Sequence, residues 1–385
     1  MRHLIVFCHL RWDFVQQRPQ HLLTRLARHW PVHLVEEPMR GDGAPRLERT
    51  TPARGIEVLR PQLPDGGRGF ADDQFAVLKD LLHDHLREHG IDDYVVWFYT
   101  PMALPMLNGL NPKAVVYDCM DELSSFKHAP PQLREREAAL LEVADLVFTG
   151  GPSLYEAKRD LHPQVFCLPS AVDAQHFSRE RALSDIDAMR CAGELQCAIA
   201  QPRLGFFGVV DERLDLDLVD GVAAADPSWQ LVMVGPVAKI SADSLPRRPN
   251  IHWLGQQSYA LLPQLVAGWD VCLLPFALNE ATRFISPTKT LEYMAAEKPV
   301  VSTPVRDVAL LYGRDVRIAG NVAAFVAACR DMLAESPEDR LARIRQMLAT
   351  VARYSWDNTA QTMRSAIEQV IDARSTPEFR AATSS

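Results

Sequence analysis

The 385-residue sequence contains no CxxC pair. Its seven cysteines, Cys8, Cys119, Cys167, Cys191, Cys197, Cys272 and Cys329, are scattered and odd in number. They indicate neither a zinc ribbon nor a disulfide framework. Several sit in apolar runs, as buried free thiols do in a reducing cytoplasm. No apolar run approaches the ~20 residues of a membrane span. The N-terminal stretch MRHLIVFCHLRWDF is too short an apolar run for a signal peptide and carries no cleavage site. Neither GxGxxG nor a Walker A sequence occurs, which argues against a dinucleotide enzyme and a P-loop ATPase. Positive charge is not in excess. The net charge of −8 argues against a general nucleic-acid binder. Short-period repeats and low-complexity tracts are missing as well.

What is present suits a soluble α/β protein of two domains. Hydrophobic residues make up 47% and charged residues 23%, ordinary for globular chains, and 385 residues exceed one typical domain. Strand signals recur at His3–His9, Val32–Glu36, Ile56–Leu59, Tyr94–Tyr99, Ala114–Asp118, Leu146–Thr149 and Val165–Leu168. Helical patterns fall between several of them, and Gly41–Gly69 reads as surface loop around one strand. The alternation breaks over Ala182–Pro202 and restarts with strands at Leu204–Val209, Gln230–Val234, Ile251–Leu254, Val271–Pro275 and Pro299–Ser302. This pattern predicts two Rossmann-like units, each a parallel sheet with helices on both faces. The expected boundaries are 1–185 and 200–355, followed by a helix over Trp356–Ala373 and a disordered tail.

One stretch carries the most chemistry: Phe284–Val301, FISPTKTLEYMAAEKPVV. Ser286 is placed to cap a helix, with Pro287 at its first position. The free N–H groups and dipole of that helix end suit a phosphate. Lys289 adds a cation where the dipole alone disfavours one. Glu292 lies four residues after Thr288, on the same helix face. A carboxylate set behind a phosphate site can accept two hydrogen bonds from a ribose diol. These parts suit a nucleoside diphosphate, and with an attached sugar they suit glycosyl transfer. An ordinary capped helix under a sheet is the alternative. Gly208 and Gly235 end predicted strands, where backbone can approach a ligand or simply turn. Arg213 could reach a diphosphate, or pair with Asp211 or Asp215.

The order VMVGP … IHWLGQQSYALLPQLVAGWDVCLLPF … SPTKTLEYMAAEKPVVSTPV resembles the donor-binding half of bacterial glycosyltransferases of the two-Rossmann (GT-B) architecture. More specifically it is similar to the retaining family-4 and family-1-like group, which includes exopolysaccharide and teichuronic-acid-type transferases. LPSAVDAQHF is similar to the segment where such chains leave the first domain, and WDFVQQRPQHL and VVYDCMDELSSF extend the likeness into the first half. The resemblance implies two domains facing each other across a cleft, with the final helix packing back on the first. It makes Glu292 the ribose-binding carboxylate and assigns the diphosphate to Ser286, Pro287, Thr288 and Lys289, assisted by Arg213. Many relatives carry a second glutamate eight positions before Glu292. Here that position is Phe284, and Glu280 is the candidate replacement, or a local cap.

The first half is expected to serve the acceptor. Trp12, Asp13, Arg18 and Gln20 lie in the expected loop after the first strand; Asp118 and Asp121 follow the Val115–Tyr117 strand, where Asp121 could instead cap a helix. Together with Glu280, these aspartates are the catalytic candidates. The first sixty residues carry ten Arg against six acidic residues. That basic face could make weak peripheral contact with anionic membrane or a lipid-linked acceptor, or be solvated surface. The expected reaction moves a sugar from a UDP- or GDP-linked donor to a hydroxyl of a sugar or lipid-linked acceptor, in the cytoplasm or at its membrane face. No Asp-x-Asp motif stands where a metal-bound donor needs one, so neither a metal nor a further cofactor is expected. Two alternatives stay open: a nucleotide-sugar 2-epimerase, which turns over donor without acceptor, and a nucleotide-binding relative without chemistry.

Overall fold

The computed structural model describes residues 1–127 and 129–375. The predicted disordered tail lies largely outside the described residues. Two units emerge: Met1–Pro169 with the C-terminal segment from Trp356, and Ser170–Ser355.

The first unit is built on strands β1 (His3–Cys8), β2 (Val32–Glu36), β3 (Met39–Arg40), β4 (Arg46–Ala53), β5 (Ile56–Leu63), β6 (Tyr94–Phe98), β7 (Val115–Cys119), β8 (Leu146–Thr149) and β9 (Val165–Cys167). Their order is β3-β5-β2-β1-β6-β7-β8-β9, with β4 beside β5. β1, β2, β6, β7 and β8 are almost wholly buried and mostly apolar, as strands covered on both faces are. β4 is the exception. It runs antiparallel to β5 and is mostly exposed, so the region expected as loop around one strand is a hairpin. Its sequence, RLERTTPA, lacks the apolar alternation that marks a half-buried strand.

The helix Trp356–Ser375 belongs to this unit. Ala360, Met363, Ile367 and Ile371 recur at three- and four-residue spacing and are all buried. At its start Trp356, 1% exposed, stacks on His21 of the helix Arg18–Leu26 at 5.0 Å. Asp357 pairs with Arg25 of the same helix and with Arg28 just beyond its end.

The second unit holds β10 (Arg203–Phe207), β11 (Gln230–Val234), β12 (Ile251–Gly255), β13 (Val271–Leu274), β14 (Val300–Ser302) and β15 (Arg317–Ile318), in the order β12-β11-β10-β13-β14-β15. Each adjacent pair is parallel. The unit begins at Ser170, upstream of the expected boundaries near 185 and 200. Helices at Ala174–Phe177, Arg179–Ser184 and Ile186–Gln196 fill the stretch between. They are held by side chains: Gln196 accepts a hydrogen bond from the Trp269 indole at 2.8 Å, and Phe177 stacks on Phe207. Among the described residues no helix is long and apolar enough to cross a membrane.

Candidate donor-binding site in the second unit

The site forms at the carboxyl ends of β10 and β11, where open parallel sheets bind ligands. Gly208 and Gly235 end these strands with φ of +149° and +142°. A Cβ on Gly235 would stand 1.8 Å from the Gly208 carbonyl oxygen. Only glycine allows the two turns to approach so closely. A Cβ on Gly208 would meet the Lys289 side chain at 2.3 Å, so the lysine lies directly over this turn. Its ammonium is 5.8 Å from the centre of the Phe207 ring.

Lys289 comes from the helix Thr288–Ala295. Ser286 does not cap that helix. Pro287 takes the cap position, at φ −65° and ψ 120°. Proline's fixed φ suits both a helix start and an extended turn, so ψ decides between them. Here the preceding carbonyl, that of Ser286, is held by the Ser170 hydroxyl at 2.8 Å. The Ser286 hydroxyl itself is buried without a hydrogen-bond partner among the described residues. Tyr293 fixes the helix to the sheet: its hydroxyl accepts from the Phe207 N–H at 2.9 Å.

Glu292 is 5% exposed, and its Oε2 is buried with no hydrogen-bond partner among the described residues. Burial raises its pKa to about 7, opposed by the Lys289 charge and a hydrogen bond from Thr288. A buried carboxylate oxygen without a partner is costly, and such groups call for a ligand, water or ion. Glu212 raises the same question. It follows β10, its side chain is 3% exposed, and neither oxygen has a hydrogen-bond partner among the described residues. The Lys239 ammonium stands 3.8 Å from its Oε1. Sequence reading passed over Glu212, since nothing in VVDERLD distinguishes its burial from that of Asp211 or Asp215.

Arg213 takes the local option left open by the sequence. Its guanidinium forks onto Asp211, with Nε at 2.9 Å and Nη2 at 2.7 Å. Glu280 opens a short turn of helix, Glu280–Thr282, with its side chain 76% exposed and 3.7 Å from Arg283. Asn279, not Glu280, caps that turn.

In the first unit, Arg18 and Asp118 meet each other. Arg18 Nη2 and Nε lie 3.0 and 3.1 Å from the carboxylate, and the residues are 4% and 0% exposed. The third nitrogen, Nη1, donates to the Leu168 carbonyl. This is a buried ion pair within the unit, and neither side chain is presented to solvent. Gln20 is also internal: its amide donates to the carbonyls of Trp12 and Val15, holding the loop before the helix. Trp12 is anchored by its backbone N–H on Glu36, and exposed Asp13 pairs with Arg60. Asp121 is half-buried; its carbonyl accepts from Cys119, and the next helical turn, Leu123–Ser125, has no side-chain cap. The structure therefore brings Gly208, Gly235 and Lys289 together beside the start of the Thr288–Ala295 helix and leaves Arg213 on Asp211, while Arg18, Gln20 and Asp118 make contacts inside the first unit.

Residues 201–335 match the family described as glycosyl transferases group 1. The chain is 24% identical over 323 residues to a putative teichuronic acid biosynthesis glycosyltransferase, TuaH, of Bacillus subtilis strain 168, covering 72% of this chain and 78% of the relative. Sucrose-phosphate synthase from Thermosynechococcus elongatus superposes with a TM-score of 0.71 at 15% identity, covering 97% of this chain and 100% of that one. An E. coli structure described as trehalose-6-phosphate bound with UDP-2-fluoro glucose gives 0.70 at 14% identity, covering 96% and 99%. The fold and the family match over residues 201–335 agree: the chain is a glycosyltransferase with the GT-B fold.

Proposed function

We propose that the protein transfers a hexose, with retention of configuration, from a UDP- or GDP-sugar to a hydroxyl of a sugar or lipid-linked acceptor in cell-surface polysaccharide or glycolipid synthesis. The observation that carries the donor side is the partnerless Glu292 Oε2, buried one helical turn behind Lys289. A ribose diol supplies the hydrogen bonds this oxygen lacks. The diphosphate lies against the helix start at Thr288 and the Gly208 turn, where Lys289 and backbone N–H groups meet its charge. As the sugar–phosphate bond breaks, negative charge grows on the departing diphosphate, and fixed donors there lower the barrier. The TuaH likeness supports the polysaccharide setting, and the UDP-sugar-bound neighbour supports a UDP-linked donor. Retention and the choice of a hexose rest on resemblance to the retaining group.

Thermal-shift screening of nucleoside diphosphates and nucleotide sugars tests the donor assignment, because a ligand of the native state raises its melting temperature. A sugar nucleotide that stabilises the protein is then incubated with and without acceptor. Transfer that requires acceptor supports the proposal. Epimerised donor without acceptor identifies an epimerase, and binding without turnover a non-catalytic relative.

A further inference from the structure

Three potential metal ligands converge in the first unit, apart from every residue considered above. His33 on β2 and Glu57 on β5 are register partners on adjacent parallel strands, each the second residue of its strand. Their side chains share one face of the sheet. His85, from the helix Phe75–Glu88, meets them on that face. His33 Nδ1 lies 3.2 Å from Glu57 Oε2 and 3.1 Å from His85 Nε2, and the third side, His85 Nε2 to Glu57 Oε2, is 3.6 Å. Linear hydrogen bonds cannot join all three sides of so small a triangle. A single cation can satisfy all three atoms. With metal–ligand distances of about 2.0–2.1 Å, tetrahedral neighbours stand about 3.3 Å apart. We propose that His33, Glu57 and His85 bind one divalent transition metal ion of the zinc type, with a fourth position left to water.

The surroundings fit that role. His33 and His85 are 6% and 3% exposed. His3 Nδ1 lies 3.0 Å from His33 Nε2, and the rings stack at 5.2 Å. If Nε2 carries the proton and donates to His3, the Nδ1 lone pair of His33 is freed for the metal, as outer-shell partners of ligand histidines do. Arg49 approaches Glu57 on the other oxygen, Oε1, at 3.9 Å. Two histidines and a carboxylate favour zinc over magnesium or calcium. The ligands stand at the amino-terminal ends of β2 and β5, away from the strand ends where parallel sheets bind substrates. The ion would tie a helix to the sheet and stabilise the unit.

The test uses the full chain, stripped with chelator and titrated with Zn2+ by calorimetry and thermal shift, with Co2+ as a spectroscopic probe. The expected result is one Zn2+ per chain, a raised melting temperature, and a Co2+ visible band of four-coordinate intensity. His85→Gln abolishes all three. Glu57→Gln, at a half-exposed position where folding is safe, abolishes the band while circular dichroism stays native. His3→Phe keeps the stacking but lowers Zn2+ affinity about 10- to 100-fold. Absence of stoichiometric Zn2+ binding overturns the proposal, as does binding unchanged in both Glu57→Gln and His85→Gln.

Discussion

Replacing Glu292 with glutamine tests it as a ligand-binding carboxylate, because stability and nucleotide affinity should then move in opposite directions. The folded-state pKa, about 7, lies above the ordinary 4.5, and burial is the main cause. The folded protein therefore holds a proton that the unfolded chain releases between those values. The stabilisation from that proton is full below pH 4.5 and is lost as pH rises through 7. From pH 5 to pH 8 this one group withdraws about 2.5 kcal/mol. Glutamine has no such slope. Urea unfolding at both pH values should show Glu292→Gln gaining about 2–3 kcal/mol on wild type between pH 5 and pH 8. Nucleoside diphosphate affinity should move the other way. Loss of charge-assisted hydrogen bonds to the ribose, each about 1.5–3 kcal/mol, lowers it tenfold or more. In the wild type, affinity should rise between pH 6 and pH 8 as the carboxylate ionises to accept those bonds. A variant with the wild-type pH slope refutes the buried-charge argument, and calorimetry showing unchanged nucleotide affinity refutes the ribose assignment.

Lys289→Ala should weaken nucleoside diphosphate binding about tenfold more than nucleoside binding, since only the diphosphate brings charge to the ammonium; equal losses by calorimetry would mark the lysine as structural. Glu280→Gln should cut turnover while leaving nucleoside diphosphate affinity unchanged if this exposed carboxylate turns to the sugar in the complex. Unaltered kcat/KM would leave it only its contact with Arg283. In the first unit, Arg18→Ala should cost about 3–5 kcal/mol by stranding the buried Asp118 charge. The double replacement Arg18→Met with Asp118→Leu should recover most of that in denaturant titrations, and failure to recover would point to a role beyond the ion pair.

Much of the architecture is written locally. YVVWF and VVYDC can only be strands with both faces covered, and the helix at Leu216–Ala225 follows directly from its sequence pattern. The helix of the candidate donor stretch is legible for the same reason: Lys289 and Glu292, three residues apart on it, share one face whatever the rest of the chain does. Tertiary structure decided what depends on distant partners. β4 forms because β5 offers it an edge, although its own residues show no strand pattern. Pro287 is extended rather than helical, and the carbonyl before it is held by Ser170, far away in sequence. Arg18 and Asp118, a hundred positions apart, become one buried pair because the helix Arg18–Leu26 sets the arginine against the end of β7. His33, Glu57 and His85 are unremarkable in sequence. The register of β2 against β5, and the helix laid over both, bring their three ligand atoms within 3.6 Å of one another. Spacing along a chain encodes burial and helix faces, whereas convergence of residues from separate elements is set by strand order and packing.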